Sequence, residues 1–413
     1  MDLLSPTPCP YLTADLPGIG GVIKRFNEDF EVEEIPLYEP SGEGTHVYFG
    51  IEKNGLSTPQ AVQRIARALC RDAREIGYAG MKDAHAVARQ TFSLEHVDPE
   101  SVQRLSWPGL RVLWTRRHAN KLKMGHLRGN RFIIKVRQAD TDALPRVQAI
   151  LDILARRGVP NYFGEQRFGR RGDNAAVGLA VLRGDFDEAV ALVCGRPGPA
   201  DTGEVRAARG LFDQGDFAAA LDAWPRGSQE QRRLCAAMQK SRGDARRAWR
   251  AIDRKLALLY VSALQSALFN RVLAERITTI DRLVDGDVAW KHANGASFLV
   301  EDPAAEQPRC DAFEISPSGP LFGRKMKAAH GEPGQSEARA LAESGLTMEQ
   351  LAEHRHVQGA RRPLRFRPAE CRADLGTDAR GPYVRVSFAL DSGCYATTVL
   401  REICKTPEAG TGP

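Results

Sequence analysis

The chain has 413 residues, 42% of them hydrophobic and 27% charged, with a formal net charge of +6. That length serves two or three domains with real cores, and the composition excludes wholesale disorder. No run of about 18 uninterrupted apolar residues occurs, so no membrane-crossing helix is expected.

The N-terminal segment lacks the basic start of a secretory signal, and none of the eight cysteines forms a C-x-x-C pair. A cytoplasmic protein with reduced thiols is expected. Arginine far outnumbers lysine, which suits phosphate recognition but equally follows from a GC-rich genome.

In chain order, residues 21–26 (GVIKRF), 29–35 (DFEVEEI) and 46–53 (HVYFGIEK) read as strands separated by turn residues. Residues 58–71 carry apolar side chains at helical spacing behind Thr58-Pro59, a good first turn. Strand-like pieces follow at 74–80, 89–97, 110–118 and 130–138, then a helix over 143–157 stopped by Gly158 and Pro160. From about 174 to 280 the pattern is nearly all helix. Arg183-Gly184-Asp185, Gln214-Gly215-Asp216 and Arg242-Gly243-Asp244 each predict a left-handed Gly ending one helix and an Asp capping the next. Residues 255–280 form the longest apolar-periodic run and are expected to be a core helix. Residues 285–333 return to short strands and turns, and 335–356 read as a helix or two. The last fifty residues resemble the N-terminal strands in style. The expectation is an α+β protein: a discontinuous domain with an antiparallel sheet and flanking helices, formed by 1–161 and 362–413. A mostly helical α/β insertion over 162–361 interrupts it.

Three segments could carry chemistry. In Gly80-Met81-Lys82-Asp83-Ala84-His85-Ala86, a strand end presents Asp83, and a carboxylate beside a cation can act as nucleophile or base. Lys82 points the other way in extended chain, and a solvated turn would use the same residues. The run from Thr115 to Phe132 holds Arg116, Arg117, Lys121, Lys123, Arg128 and Arg131 with no acid, a positive surface suited to phosphates. Within it Asn130 can read a base edge and Phe132 can stack on a base. The segment from Pro160 to Arg171 interleaves Tyr162, Phe163 and Phe168 with arginines including Arg167, a composition that serves base binding or a packed loop. No phosphate-binding or dinucleotide glycine loop and no G-x-S-x-G elbow occurs, and His354 and His356 lack a third ligand nearby. No metal and no cofactor are expected.

These motifs, in this order, resemble the TruD family of pseudouridine synthases: GMKDAHAVARQ, GNRF and PNYFGEQRFG, with Asn27–Val32, EGTHVYFGIEKNG, SALFNRVLAER, VDGD and ATTVLREIC. Two features depart from the family pattern: Ala88 stands where the family usually has Thr, and 183–250 looks like added helices. The resemblance implies isomerisation of uridine to pseudouridine in tRNA, at position 13. It places the family's aspartate on Asp83, its pocket aromatics on Phe30 and Phe132, and its pocket asparagine on Asn130. Asp83 would attack the ribose or assist proton loss. The cation that other pseudouridine synthases draw from an arginine is expected from Lys24, because Thr397 stands where that arginine would fall. Arg116, Arg117, Lys121, Lys123, Arg128, Arg131 and Arg167 are expected to meet the RNA. A monomer with no membrane and no obligatory protein partner is expected. The competing readings are an RNA-binding or RNA-folding protein without catalysis, which would not need Asp83, and a nucleoside hydrolase, which would need a second acid.

Overall fold

The computed structural model describes residues 9–406, apart from residue 141. They form two compact units: Leu12–Val159 with the residues from Phe366 on, and Pro160–Arg365 with the few residues before Leu12.

The first unit is built on one sheet. In chain order it contains β1 (Gly20–Val22), β2 (Phe30–Pro36), β3 (His46–Asn54), α1 (Thr58–Ala68), β4 (Gly77–Tyr78), β5 (Val87–Glu95), α2 (Pro99–Gln103), β6 (Ser106–Trp107), β7 (Leu110–His118), β8 (Leu127–Ala139) and α3 (Ala143–Arg157). The chain re-enters as β9 (Ala369–Asp378), β10 (Gly381–Asp391) and α4 (Ala396–Cys404). The strand order is β9-β10-β8-β2-β5-β3-β7-β6, with β1 on β8 and β4 on β5.

The pairing is antiparallel except where β2 meets β5, which run parallel over only Glu31–Val87, Val32–Ala88 and Glu33–Arg89. This short seam divides the sheet into two halves, each with its own core. On one half, α3 and α4 bury Val147, Ile150, Leu154, Val399 and Ile403 against Ile134, Val136, Val386 and Phe388. On the other, α1 buries Ala61, Val62 and Ile65 against Val47, Phe49, Ile51, Phe92 and Leu94. The period-2 alternation of β3 and the helical spacing of α1 are what put those side chains on one face. α1 starts on a capping box between Ser57 and Gln60, and α3 stops at Gly158 with φ +91°.

A buried ion pair fastens the returning strands to the segment that leads into β2. Arg137, 2% exposed, donates to Asp29 at 2.7–2.9 Å and to Asp378 at 2.8 and 3.0 Å. The guanidinium holds the Asp378 carboxyl well below the usual carboxylate range. Asp29 directly precedes Phe30, so this pair fixes the start of the strand that carries it. Arg137→Met is expected to cost about 3–5 kcal/mol, because it strands a buried carboxylate. Urea denaturation measures it, and a loss below about 1 kcal/mol would show the pair to be dispensable.

In the second unit all three Gly-Asp turns form, and in the third Arg242, with φ +56°, is the left-handed residue that ends the helix, ahead of the glycine. Gly184, Gly215 and Gly243 have φ of +72°, +80° and +90°. Asp185, Asp216 and Asp244 accept from the backbone N–H of Glu188, Ala219 and Arg247. A four-stranded antiparallel sheet in the order Ser297–Leu299, Val288–Lys291, Ile315–Leu321 and Ala360–Pro363 completes the unit. The helix Arg254–Glu275 is, by length and composition, apolar enough to cross a membrane, which counting uninterrupted apolar runs did not register. Its interrupting polar residues explain both points. Ser262, Gln265, Ser266 and Asn270 bond to other parts of the same unit, while Leu264, Leu268 and Phe269 are buried. It serves as that unit's core helix.

Candidate active site

The seam between β2 and β5 is where the chemistry-bearing residues collect. Asp83 lies on the loop that joins β4 to β5, with its side chain 44% exposed. Three contacts fix that loop, and a further bond ties two of their partners together. Gln90 Nε2 donates to Gly80 O at 2.7 Å, and the Lys82 backbone N–H donates to Thr58 Oγ1 at 2.9 Å. Thr58 Oγ1 donates in turn to Gln90 Oε1 at 2.9 Å. Lys53 Nζ donates to the Asp83 carbonyl at 2.8 Å and also to Leu56 O. Lys82 points away from Asp83, as the extended-chain argument requires, and pairs with Glu34 at 2.7 Å, both side chains at least 95% buried.

The Lys24 ammonium contacts Asp83 Oδ2, and Ala84 N–H donates to Asp83 Oδ1 at 3.1 Å. Lys24 Nζ also sits 4.5 Å from the centroid of the Phe30 ring. The expected strand 21–26 stops at Val22, because Lys24 takes the left-handed conformation with φ +55°. A lysine enters that region only at a cost of about 1–2 kcal/mol, which its contacts with Asp83 and Phe30 offset. Phe30 and Phe132 meet edge to face with centroids 6.0 Å apart, and Phe132 packs on Phe388 at 5.6 Å. Asn130 is two residues before Phe132 on β8 and opposite Glu34 in the register. Its Oδ1 is buried and has no hydrogen-bond partner among the described residues. Leaving such an acceptor unpaired costs about 1–3 kcal/mol until a donor arrives.

The structure thus brings Asp83, Lys24, Phe30, Asn130 and Phe132 into one unit around the seam. Sequence reasoning missed Lys53, Thr58, Gln90 and Glu34. Lys53 had a visible signal, since alternation along β3 puts it on the same face as Phe49 and Ile51. Ala88 is fully buried opposite Val32 and Lys53, and the loop's hydrogen bonds run through Thr58 and Gln90.

The basic run divides by what each side chain touches. Arg116, Lys123 and Arg128 are exposed. Arg117 donates to Gly44 O at 3.3 Å and Lys121 to Arg74 O at 2.7 Å. Arg131 pairs with Glu370 at 3.0 Å and Glu33 at 3.6 Å. Arg167 belongs to the other unit, where it donates to Ser262 at 2.9 Å and Ser266 at 3.2 Å and covers Phe163. Phe163 exchanges backbone hydrogen bonds with the Asn270 side chain, and Tyr162 is buried. Of the two uses open to the segment after Pro160, its aromatics take the packed loop.

Burial pushes the Lys53 ammonium down to about 8, while Asp83 and Glu34 pull it the other way. In the unfolded chain a lysine titrates near about 10.4, so between these values the unfolded state binds the extra proton. Stability contributed by this site is therefore lowest below about pH 8 and rises toward pH 10.4, by up to about 3 kcal/mol. The difference in unfolding free energy between the native chain and Lys53→Met is expected to widen in favour of the native chain across that window. A difference that stays flat with pH would contradict the assignment.

Residues 8–403 match the family described as tRNA pseudouridine synthase D (TruD). The chain is 48% identical to a tRNA pseudouridine synthase D of Geobacter sulfurreducens over 97% of its length and 98% of that protein. It is 40% identical to the protein of that name from an Anaeromyxobacter species, covering 98% and 99% of the two. The crystal structure of a putative tRNA pseudouridine synthase D from Methanosarcina mazei superposes with a TM-score of 0.84 at 28% identity, covering 96% of each chain.

Proposed function

Because the chain belongs to the TruD family and is a tRNA pseudouridine synthase, an isomerase, we propose that Asp83 is its nucleophile and that the residues around the β2–β5 seam hold the target uridine. The observation that carries this reading is the Asp83 carboxylate in contact with the Lys24 ammonium, beside the Phe30–Phe132 pair and the unpaired Asn130 carbonyl.

The reaction requires the uridine to leave the stack, because its glycosidic bond is inaccessible in paired RNA. The bond from ribose C1′ to uracil N1 then breaks and a bond from C1′ to C5 forms, with a proton lost from C5 and one gained at N1. Asp83 is the carboxylate that attacks C1′ as the bond to N1 breaks and is released again as C5 takes its place on C1′, and Lys24 is its charge partner. Phe30 and Phe132 offer aromatic surface to a uracil that must stay in place while detached, without competing as acids. Asn130 Oδ1 accepts a hydrogen bond from a uracil ring N–H, a donor that no described residue supplies. Nothing in this sequence of bonds consumes a redox or metal cofactor.

The finer parts of the reading follow the same line. The substrate position is 13 of tRNA. The catalytic domain comprises residues 1–161 and 362–413, and residues 162–361 form the insertion. Lys123, just before β8, and Arg128, on β8, are exposed and are the strongest phosphate contacts. Arg116, exposed on β7, meets the RNA apart from them, and Arg117, Lys121, Arg131 and Arg167 come second because each already has a protein acceptor. The enzyme is read as a monomer, as the family resemblance implies, and works in the cytoplasm, where its tRNA is. Mapping pseudouridine in tRNA from cells with and without the protein tests the assignment. Loss of the modification at position 13 alone is expected, and an unchanged map would overturn it.

A further inference from the structure

A second cavity, of about 340 Å³, opens in the same unit and is lined by none of Asp83, Lys24, Phe30, Asn130 or Phe132. That size lies within the range of small-molecule sites. Its platform is Trp114 on β7, opposite Gly50 on β3. The pyrrole edge of the indole lies directly over Gly50: a Cβ there would meet Trp114 Nε1 at 2.2 Å, so only glycine lets the ring sit so low. Arg116, two residues on, is exposed and also lines the cavity. The opposite wall is rigid. Tyr38 Oη bonds His126 Nδ1 at 2.6 Å, and the Tyr38 ring stacks on His118 at 5.3 Å.

The remaining lining is acidic as well as basic, with Glu33 and Glu39 alongside Arg89 and Arg116, while Glu34, which also lines it, is held by Lys82 and the Thr91 N–H. Those carboxylates disfavour a phosphate there. They suit a flat ring with N–H donors on its edge, stacked on an indole and flanked by a guanidinium. Arg116 and His126 both belong to the acid-free basic run expected to meet the RNA, so the RNA is the nearest source of such a ring. The cavity also backs onto the catalytic loop: Ala79, Glu34 and Gln90 line it, and the latter two hold Lys82, Thr91 and Gly80.

We propose that this cavity is a second nucleobase site, which receives an unstacked base of the tRNA other than the target uridine, with Trp114 as its stacking platform and Arg116 as its flanking cation. The proposal rests on the reading of the chain as a tRNA pseudouridine synthase and adds a specificity determinant to it.

The test measures the dissociation constant of an unmodified tRNA transcript for the native chain, Trp114→Ala, Trp114→Phe and Arg116→Ala. A series of transcripts carries one abasic nucleotide at each position around the target. Trp114→Ala is expected to weaken binding by about tenfold, the usual scale for one lost base–aromatic stack, and Trp114→Phe to retain most of the affinity. One abasic position should weaken the native chain by a similar factor and cost Trp114→Ala nothing further. If Trp114→Ala melts early, the same cycle with Arg116→Ala decides, because that side chain is exposed. Native affinity in both alanine variants, or abasic losses that add in full to theirs, would overturn the proposal. A native chain that forms no pseudouridine would instead overturn the functional reading, whatever these constants are.

Discussion

Asp83→Asn is expected to release no tritium from tRNA labelled at uracil C5, a loss of at least about 10³-fold against the native chain. The C5 hydrogen leaves only if C1′ has moved to C5, so the label reports the rearrangement itself. Asparagine keeps the shape of the side chain and removes the anion. The loop stays in place in the variant, because its fixing contacts run through the backbone at Gly80, Lys82 and Asp83. The variant loses the ion pair to Lys24, so a stability loss of about 1 kcal/mol is expected and a melting curve accompanies the assay. Activity and fold are thereby separated. An Asp83→Asn chain that releases label at the native rate would leave the proposed nucleophile without a role.

Lys24→Met should reduce turnover on tRNA by about 10²-fold or more, the scale of removing one preorganised charge from a reacting site. Methionine is close in length and can still lie on Phe30, so what is lost is the ammonium on Asp83. Lys24→Arg is expected to recover part of the rate, because the cation returns with altered reach. Lys24 is 15% exposed in a left-handed turn, so a melting curve accompanies the kinetics. Full turnover in Lys24→Met would assign the left-handed turn a structural role only.

The parts of the fold legible in the sequence are those with local causes. The glycine and aspartate at each helical turn of the second unit act on their own neighbours, and α3 runs over the residues its apolar spacing predicts. β8 is longer than expected, Leu127–Ala139, because pairing with β2 and β10 extends it past the residues with strand propensity. The parallel β2–β5 seam was not legible, since strand direction depends on where the intervening chain crosses.

At the site, Asp83, Asn130 and Phe132 are legible in their own motifs and take their roles from the resemblance, Phe30 follows from the resemblance alone, and Lys24 follows from the arginine missing at Thr397. The clamps on the loop were invisible for a physical reason. Thr58, Gln90 and Lys53 lie 25, 7 and 30 positions from Asp83 and act on backbone atoms, for which side-chain type gives no signal. Arg167 has a structural use that its sequence surroundings do not signal. Its aromatic surroundings suggest base recognition, but serines on the core helix of its own unit satisfy the guanidinium.

The most direct test of the account is add-back to tRNA purified from cells that lack the protein. The native chain and Asp83→Asn are each incubated with that tRNA, and pseudouridine is then mapped at every position. The account predicts that the native chain installs pseudouridine at position 13 and that Asp83→Asn installs none. Modification by both chains, or by neither, would contradict it.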